Sequence, residues 1–126
     1  LIKPNDEELA EWFGLINPSL EEIKDCGQKL LEKGAENVLV SLGEKGAILF
    51  TPTETIHVTA PKGEVVNTAC AGDTLLATFV GSQLLGLSDE QALIKAVAAG
   101  SSTAFRPGLT DFSDVPTLMQ QIKRIS

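Results

Sequence analysis

Apolar positions along the chain follow a helical period at the front, switch to alternation in the middle and return to a helical period behind. Leu9, Trp12, Phe13 and Ile16 recur at helical spacing behind Asn5, a residue suited to cap the first turn, and Asn17-Pro18 is expected to stop that helix. A second helix is predicted after Ser19. Leu20, Ile23, Gly27, Leu30 and Leu31 lie on one face of it, Glu21, Glu22, Lys24 and Lys29 lie off that face, and Gly34 closes it. The large, early Trp12 is expected in the core.

The short apolar runs at 37–43 and 46–50 are divided by Gly43-Glu44-Lys45-Gly46, which reads as two strands joined by a tight turn. Residues 55–59 alternate, with Ile56 and Val58 inward and Thr55, His57 and Thr59 outward, as in a third, half-buried strand. After Pro61-Lys62-Gly63, Val65 and Val66 suggest a brief fourth extended piece. From Gly72 to Leu85 nearly every residue is apolar or small, which predicts a helix buried on almost all sides and ended by Gly86. Ser88 and Gln91 form a capping-box pattern for a helix over 89 to 103, rich in Ala and Gly, and Arg106-Pro107-Gly108 breaks it. A last helix is expected from Ser113, with Val115, Leu118, Ile122 and Ile125 on one stripe and Lys123 and Arg124 at its negative end. Helices, then strands, then helices favour an α/β layered arrangement over a bundle or a sandwich.

Composition narrows the partners. The 126 residues are 43% hydrophobic and 21% charged, enough for one domain with a core of its own. Seventeen acidic against ten basic residues give a net charge of −7, which argues against nucleic acid and against an anionic membrane surface. Any phosphate must therefore be held by local geometry. No apolar run approaches the roughly 20 residues that span a bilayer, and no signal peptide opens the chain, so a cytoplasmic location is the default expectation. Cys26 and Cys70 stand far apart and read as two buried free thiols. The start at Leu1, running directly into Lys-Pro-Asn, suggests part of a longer protein.

The stretch Thr68-Ala69-Cys70-Ala71-Gly72-Asp73 carries the sharpest chemistry. Its small side chains let backbone N–H groups point outward together, and a helix N-terminus there adds positive partial charge, so the turn can hold a phosphate. Asp73 reads locally either as an acid favoured in a first helical turn or as a base beside that anion pocket, accepting a proton from an attacking hydroxyl. Ser41-Leu42-Gly43-Glu44-Lys45-Gly46 is an ordinary hairpin or a place where backbone passes close to a ligand; it lacks the spacing of a phosphate-binding Walker loop. Asn5 and Glu8 form a capping box or, functionally, Glu8 holds water on Mg²⁺, an ion that keeps several waters. His57, on the polar side of its strand, is expected in solvent rather than in catalysis.

Three pieces in this order, Lys3-Pro4-Asn5-x-x-Glu8-Leu9, Ser41-Leu42-Gly43-x-x-Gly46-Ala47 and Asn67-Thr68-x-Cys70-Ala71-Gly72-Asp73, resemble the PfkB, or ribokinase-like, family of carbohydrate kinases. The resemblance implies a layered Rossmann-like α/β ribokinase fold. The chain would supply the C-terminal, nucleotide-binding portion of the sheet with its flanking helices, the sugar-binding N-terminal half and lid lying outside it. It implies Asp73 as catalytic base acting on the substrate hydroxyl, and Ala71, Gly72 and Asp73 as anion hole. Asn5, Ser41, Leu42, Gly43, Glu44, Lys45, Gly46 and Gly72 would bind nucleotide, and Glu8 would act on the metal through water. The helix around Ala98-Ala99-Gly100-Ser101 resembles the wall of the adenine pocket.

ATP and Mg²⁺ would be required, the acceptor being a phosphosugar, with direct in-line transfer. Within the family the chain looks most like the 1-phosphofructokinase and tagatose-6-phosphate kinase branch, with fructose 1-phosphate the leading acceptor. A homodimer of the full-length protein is compatible with it. Cys70 and Thr78 depart from the small residues usual at their positions in the family. The competing expectations are a nucleotide-binding module without catalysis and a purely structural α/β domain.

Overall fold

The protein is described by a computed structural model that covers residues 1–63, 71–105 and 112–125. The expected extended piece at Val65 and Val66, the first part of the small-residue turn, Cys70 included, and the Arg106-Pro107-Gly108 break lie outside the described residues. Nine elements follow in chain order among the described residues: α1 (Asp6–Phe13), α2 (Leu20–Glu32), β1 (Val38–Ser41), a 3₁₀ turn (Gly43–Lys45), β2 (Ala47–Phe50), β3 (Thr55–Val58), α3 (Ala71–Leu84), α4 (Asp89–Ala104) and α5 (Val115–Met119). None of the helices among the described residues is long and apolar enough to cross a membrane.

The three strands form an antiparallel meander in the order β1-β2-β3, with Leu39 opposite Leu49 and Ile48 opposite His57. Ile2 and Asn5 bridge Val38 and Ser41 in parallel, so the segment before α1 adds to the outer side of β1 and ends beside the end of that strand. Side chains of successive strand residues point to opposite faces, and both faces here are covered. Val38, Val40, Ile48 and Phe50 pack under α1 and α2 with Leu9, Ile23 and Cys26. Leu39, Leu49, Ile56 and Val58 pack against α3, α4 and α5 with Leu75, Phe79, Leu93 and Ala96. The result is the expected layered α/β arrangement, helices on both sides of one sheet.

That second cover corrects the reading of β3 as half-buried. His57 shares a face with Ile48 and is only 4% exposed, because α2 lies over it. Gln28 of α2 donates to Thr55 Oγ1 from the same side. Gly27 makes the approach of α2 feasible: a Cβ there would stand 2.4 Å from the Phe50 ring.

α1 begins as predicted, with Asn5 Oδ1 accepting from the Glu8 amide at 2.7 Å and Glu8 Oε1 accepting from the Asn5 amide at 3.1 Å. It ends earlier than predicted. Gly14 adopts φ +67° and its N–H returns to the last turn, so the helix stops there and Ile16 is 91% exposed. The register buries Leu9 and Ala10, which leaves Trp12 53% exposed rather than in the core.

α3 is also less buried than its composition suggests. Leu75, Phe79 and Ser82 face inward, whereas Val80 and Leu84 are exposed. α4 supplies most of the covering surface through its small residues, Ala92, Ala96, Ala99 and Gly100 among them. α5 is shorter than expected. After Met119 the chain turns and extends, and it pairs with the free edge of β3, where Thr59 donates to the Lys123 carbonyl and Ile125 to that of His57. Unpaired strand groups at that edge explain why extension wins over helix.

Candidate functional site

One end of the sheet opens into a cavity of about 910 Å³. Its walls come from pieces distant in sequence: Lys3, Asn5, Asp6 and Glu7 at the start of α1, then Ser41, Gly43, Lys45 and Gly46 at the β1–β2 turn. Residues 60–63 after β3, Ala71, Gly72 and Leu75 of α3, and Val97, Gly100, Ser101, Ala104 and Phe105 at the end of α4 complete it. The parallel bridge of Asn5 to Ser41 is what brings the first two groups together. Ligands collect at such sheet ends because loops and helix N-termini converge there.

Two helices begin at or beside this cavity. α3 is described from Ala71, and Ala71 and Gly72 of its first described turn line the cavity. A Cβ on Gly72 would stand 2.9 Å from Lys3 Nζ. Glycine at that position therefore leaves room for an ammonium group against the start of α3, and the ammonium and the helix terminus together favour an anion. Lys3 is a site residue that the sequence motifs contain without assigning it a role. Its placement two residues before a helix cap, at the end of an extended segment, is the signal that was available.

The expected site residues divide. Asn5, Ser41, Gly43, Lys45, Gly46, Ala71 and Gly72 line the cavity. Leu42 does not; it is buried with Val40 and Ile48 under α1 and α2. Glu44 belongs to the 3₁₀ turn by its backbone, and its side chain lies outside what is described. Glu8 is exposed and held in the capping box, and it is the neighbouring Asp6 and Glu7 that reach the wall. Asp73 sits in the first described turn of α3, is exposed, and does not line the cavity, although Gly72 before it and Leu75 after it do. The α4 segment expected beside the adenine does line the cavity, at Gly100 and Ser101.

Glycine sets the spacing at two further points. Gly46 has φ +98°, and a Cβ there would fall 1.9 Å from the Val58 carbonyl oxygen, so the turn presses directly on the end of β3. A Cβ on Gly100 would approach the Ala71 carbonyl to 3.2 Å, which ties the end of α4 to the start of α3. Among the described residues no group of three or more His, Cys, Asp or Glu side chains could hold a metal ion.

The profile of the pfkB family of carbohydrate kinases matches residues 1–117. The chain belongs to that family. It is 52% identical over 124 residues to a D-tagatose-1-phosphate kinase of Bacillus licheniformis, covering 98% of this chain and 41% of that one. A Bacillus subtilis 1-phosphofructokinase is 41% identical over 123 residues, with the same two coverages, 98% and 41%. The Arabidopsis thaliana ribokinase solved with ribose and ATP superposes with a TM-score of 0.82 at 34% identity, over 94% of this chain and 40% of that one. The pfkB membership and the ribokinase-like fold thus agree with the expectation from the three motifs. The chain spans about 41% of the length of these two curated relatives.

Proposed function

We propose that the protein carrying this chain is an ATP-dependent kinase that phosphorylates a hydroxyl of a ketohexose 1-phosphate, and that this chain supplies its nucleotide site and its base. Fructose 1-phosphate is the acceptor expected from the sequence, giving fructose 1,6-bisphosphate. The 52% identity to a D-tagatose-1-phosphate kinase adds tagatose 1-phosphate on equal terms. Tagatose 6-phosphate stands behind both.

The observation that carries the proposal is the convergence of Lys3 Nζ, the first described turn of α3 and the 43–46 turn on one cavity, with Asp73 next in sequence to the lining residue Gly72. In-line phosphoryl transfer places the acceptor on the side of the moving group opposite the nucleotide. A base acting on the acceptor hydroxyl therefore belongs beyond the nucleotide cavity, adjacent to its phosphate end. Asp73 follows Ala71 and Gly72, which line the cavity, and its exposed carboxylate is the one we assign as that base. In this reading Asp73 takes the hydroxyl proton, and the amides of 71–73 with Lys3 neutralise charge gathering on the transferred group.

Mg²⁺ fits a site of this kind as an ion held chiefly by phosphate and water, since the described residues offer no carboxylate cage. Glu8 would act through water, with Asp6 and Glu7 nearer the wall. When bound, the ion would offset phosphate charge.

Asp73→Asn in the whole protein tests the assignment, because it removes the base with almost no change of shape. Turnover of the ketohexose 1-phosphate should fall by about 10²–10⁴-fold with ATP affinity within twofold of wild type. Turnover near the wild-type rate would refute the role. ATP binding by the unsubstituted protein without consumption, whatever phosphosugar is offered, would instead identify a nucleotide-binding module.

A further inference from the structure

The helix that carries Asp73 lies close against α4 where Gly100 faces it. A Cβ on Gly100 would stand 3.2 Å from the Ala71 carbonyl and 3.4 Å from Leu75 Cβ. Close approach over so small a residue sets the distance between two helices, but it raises no ridge that would resist rotation about their axes. One polar contact crosses the same interface: Thr103 Oγ1 donates to Thr74 Oγ1 at 3.2 Å. Thr103 is 6% exposed, and its hydroxyl also lies 3.2 Å from the Ala99 carbonyl, an acceptor of the kind that a helix's own ladder already serves. A pair of valines would fill the same volume without burying a hydroxyl, so packing alone does not account for the two threonines. Neither lines the cavity, although Leu75 beside one and Ala104 beside the other do.

We propose that Thr74 and Thr103 are positioning residues for Asp73, their hydrogen bond fixing the rotation of α3 on α4 and with it the direction of the carboxylate that precedes Thr74. The inference rests on the reading of Asp73 as the base. A polar group in an otherwise apolar contact is an attested means of fixing register. Ala71, Thr74 and Leu75 share one stripe of α3 at spacings of three and four, and that stripe meets α4. Asp73 stands off the stripe, about 100° around the helix from Thr74, and is exposed. Side-chain ends sit about 5–6 Å from a helix axis, so a turn of about 10° carries the carboxylate about 1 Å, whereas Cα atoms at about 2.3 Å from the axis shift by about 0.4 Å. Misplacement by about 1 Å can cost a reaction about 10²-fold. The same rotation leaves the main chain of 71 and 72, and a nucleotide held against it, nearly where they were.

The test uses the whole protein and compares Thr103→Val with Thr103→Ser, reading kcat, KM for ATP and thermal midpoint, with Asp73→Asn and the Asp73→Asn/Thr103→Val double variant alongside. Valine removes the hydroxyl at nearly constant volume, and serine keeps it at the loss of a methyl group. Both should lower the midpoint by a similar few degrees. Turnover should follow the hydroxyl instead: kcat falls about 10–100-fold for valine and stays within about threefold of wild type for serine, with KM for ATP within about twofold in both. On Asp73→Asn the valine change should cost less than about twofold further, because no base is left to aim.

A kcat for Thr103→Val within about threefold of wild type, a serine variant as impaired as the valine one, or the full additional loss in the double variant overturns the proposal. If Thr103→Val does not fold, Thr74→Val removes the same bond from α3 and is judged by the same threshold. Near-wild-type turnover by Asp73→Asn alone sinks the base reading and the proposal with it, whereas a slow Asp73→Asn enzyme beside a fast Thr103→Val enzyme sinks the positioning role alone.

Discussion

Gly46→Ala separates the structural account of the turn from the view that 43–46 is an ordinary hairpin. At φ +98° an alanine is strained by about 1–3 kcal/mol before any contact is considered. Its Cβ would lie 1.9 Å from the Val58 carbonyl oxygen and 2.9 Å from the Thr59 carbonyl carbon, both backbone atoms. To restore an ordinary contact of 3.4 Å from 1.9 Å, the turn and the end of β3 must part by about 1.5 Å. The Ala47–Val58 pairing begins there, so one or two ladder hydrogen bonds go with it, at about 1 kcal/mol each. Together these give about 2–5 kcal/mol, a large share of the roughly 5–15 kcal/mol by which an ordinary domain is stable. Gly43→Ala is the internal control: φ is +61°, but no atom lies within 4 Å of the added carbon, so the cost is about 1 kcal/mol. Gly43 lines the cavity, so its methyl should weaken ATP binding without unfolding anything. Urea titration of both variants of the whole protein, with KM for ATP alongside, reads the contrast. Midpoints of the two variants equivalent to within 1 kcal/mol would refute the backbone-contact argument.

Two further substitutions probe the two sides of the sheet. Lys3→Met keeps the length of the stem and removes the ammonium beside Gly72, and should cut kcat/KM for ATP about 10–100-fold with the urea midpoint unchanged; an effect under threefold would count against Lys3 in the anion site. Gly27→Ala drives a Cβ to within 2.4 Å of the Phe50 ring and should destabilise by about 1–3 kcal/mol, with Phe50→Leu added to it recovering part of the loss; additive losses in the double variant would place the strain elsewhere.

How much of this was legible in the sequence depended on what set each feature. Local chemistry set the capping boxes at Asn5, Ser19 and Ser88, and each formed where its pattern stood. Strand limits followed the apolar runs closely, because the 3₁₀ turn between β1 and β2 needed its two glycines. Burial was misjudged wherever a second layer decided it. His57 looked polar-side because alternation cannot reveal that α2 covers the other face, and α3 looked buried all round because composition does not say which neighbours the chain provides. α5 and the segment after it were misread for a related reason: Ile122 and Ile125 fit a helical stripe, yet the unpaired edge of β3 offered hydrogen bonds that a helix would forgo. Sequence also pointed to the cavity's motifs without separating wall from support, since Leu42 and Glu8 sit inside the same short motifs as residues that do line it.

The cavity's shape rests on absent side chains at three close approaches, two to backbone and one to the Lys3 side chain. Gly46 against Val58 fixes the β1–β2 turn on β3, Gly72 beside Lys3 admits a cation to the start of α3, and Gly100 against Ala71 fixes α3 on α4. All three glycines line the same space. By contrast Gly14, Gly34 and Gly86 have positive φ values with nothing within 4 Å of an added carbon, so open turns suffice to explain them. Glycine at 46 and at 100 is thus tied to the closeness of main chains, and at 72 to room for the Lys3 ammonium, rather than to turn formation alone. A phosphate is bound best by amides that its oxygens can reach directly, and a side chain at any of the three would move one wall outward by the width of a methyl group. In the proposed nucleotide reading, the phosphate end of the cavity is accordingly a joint property of the three approaches.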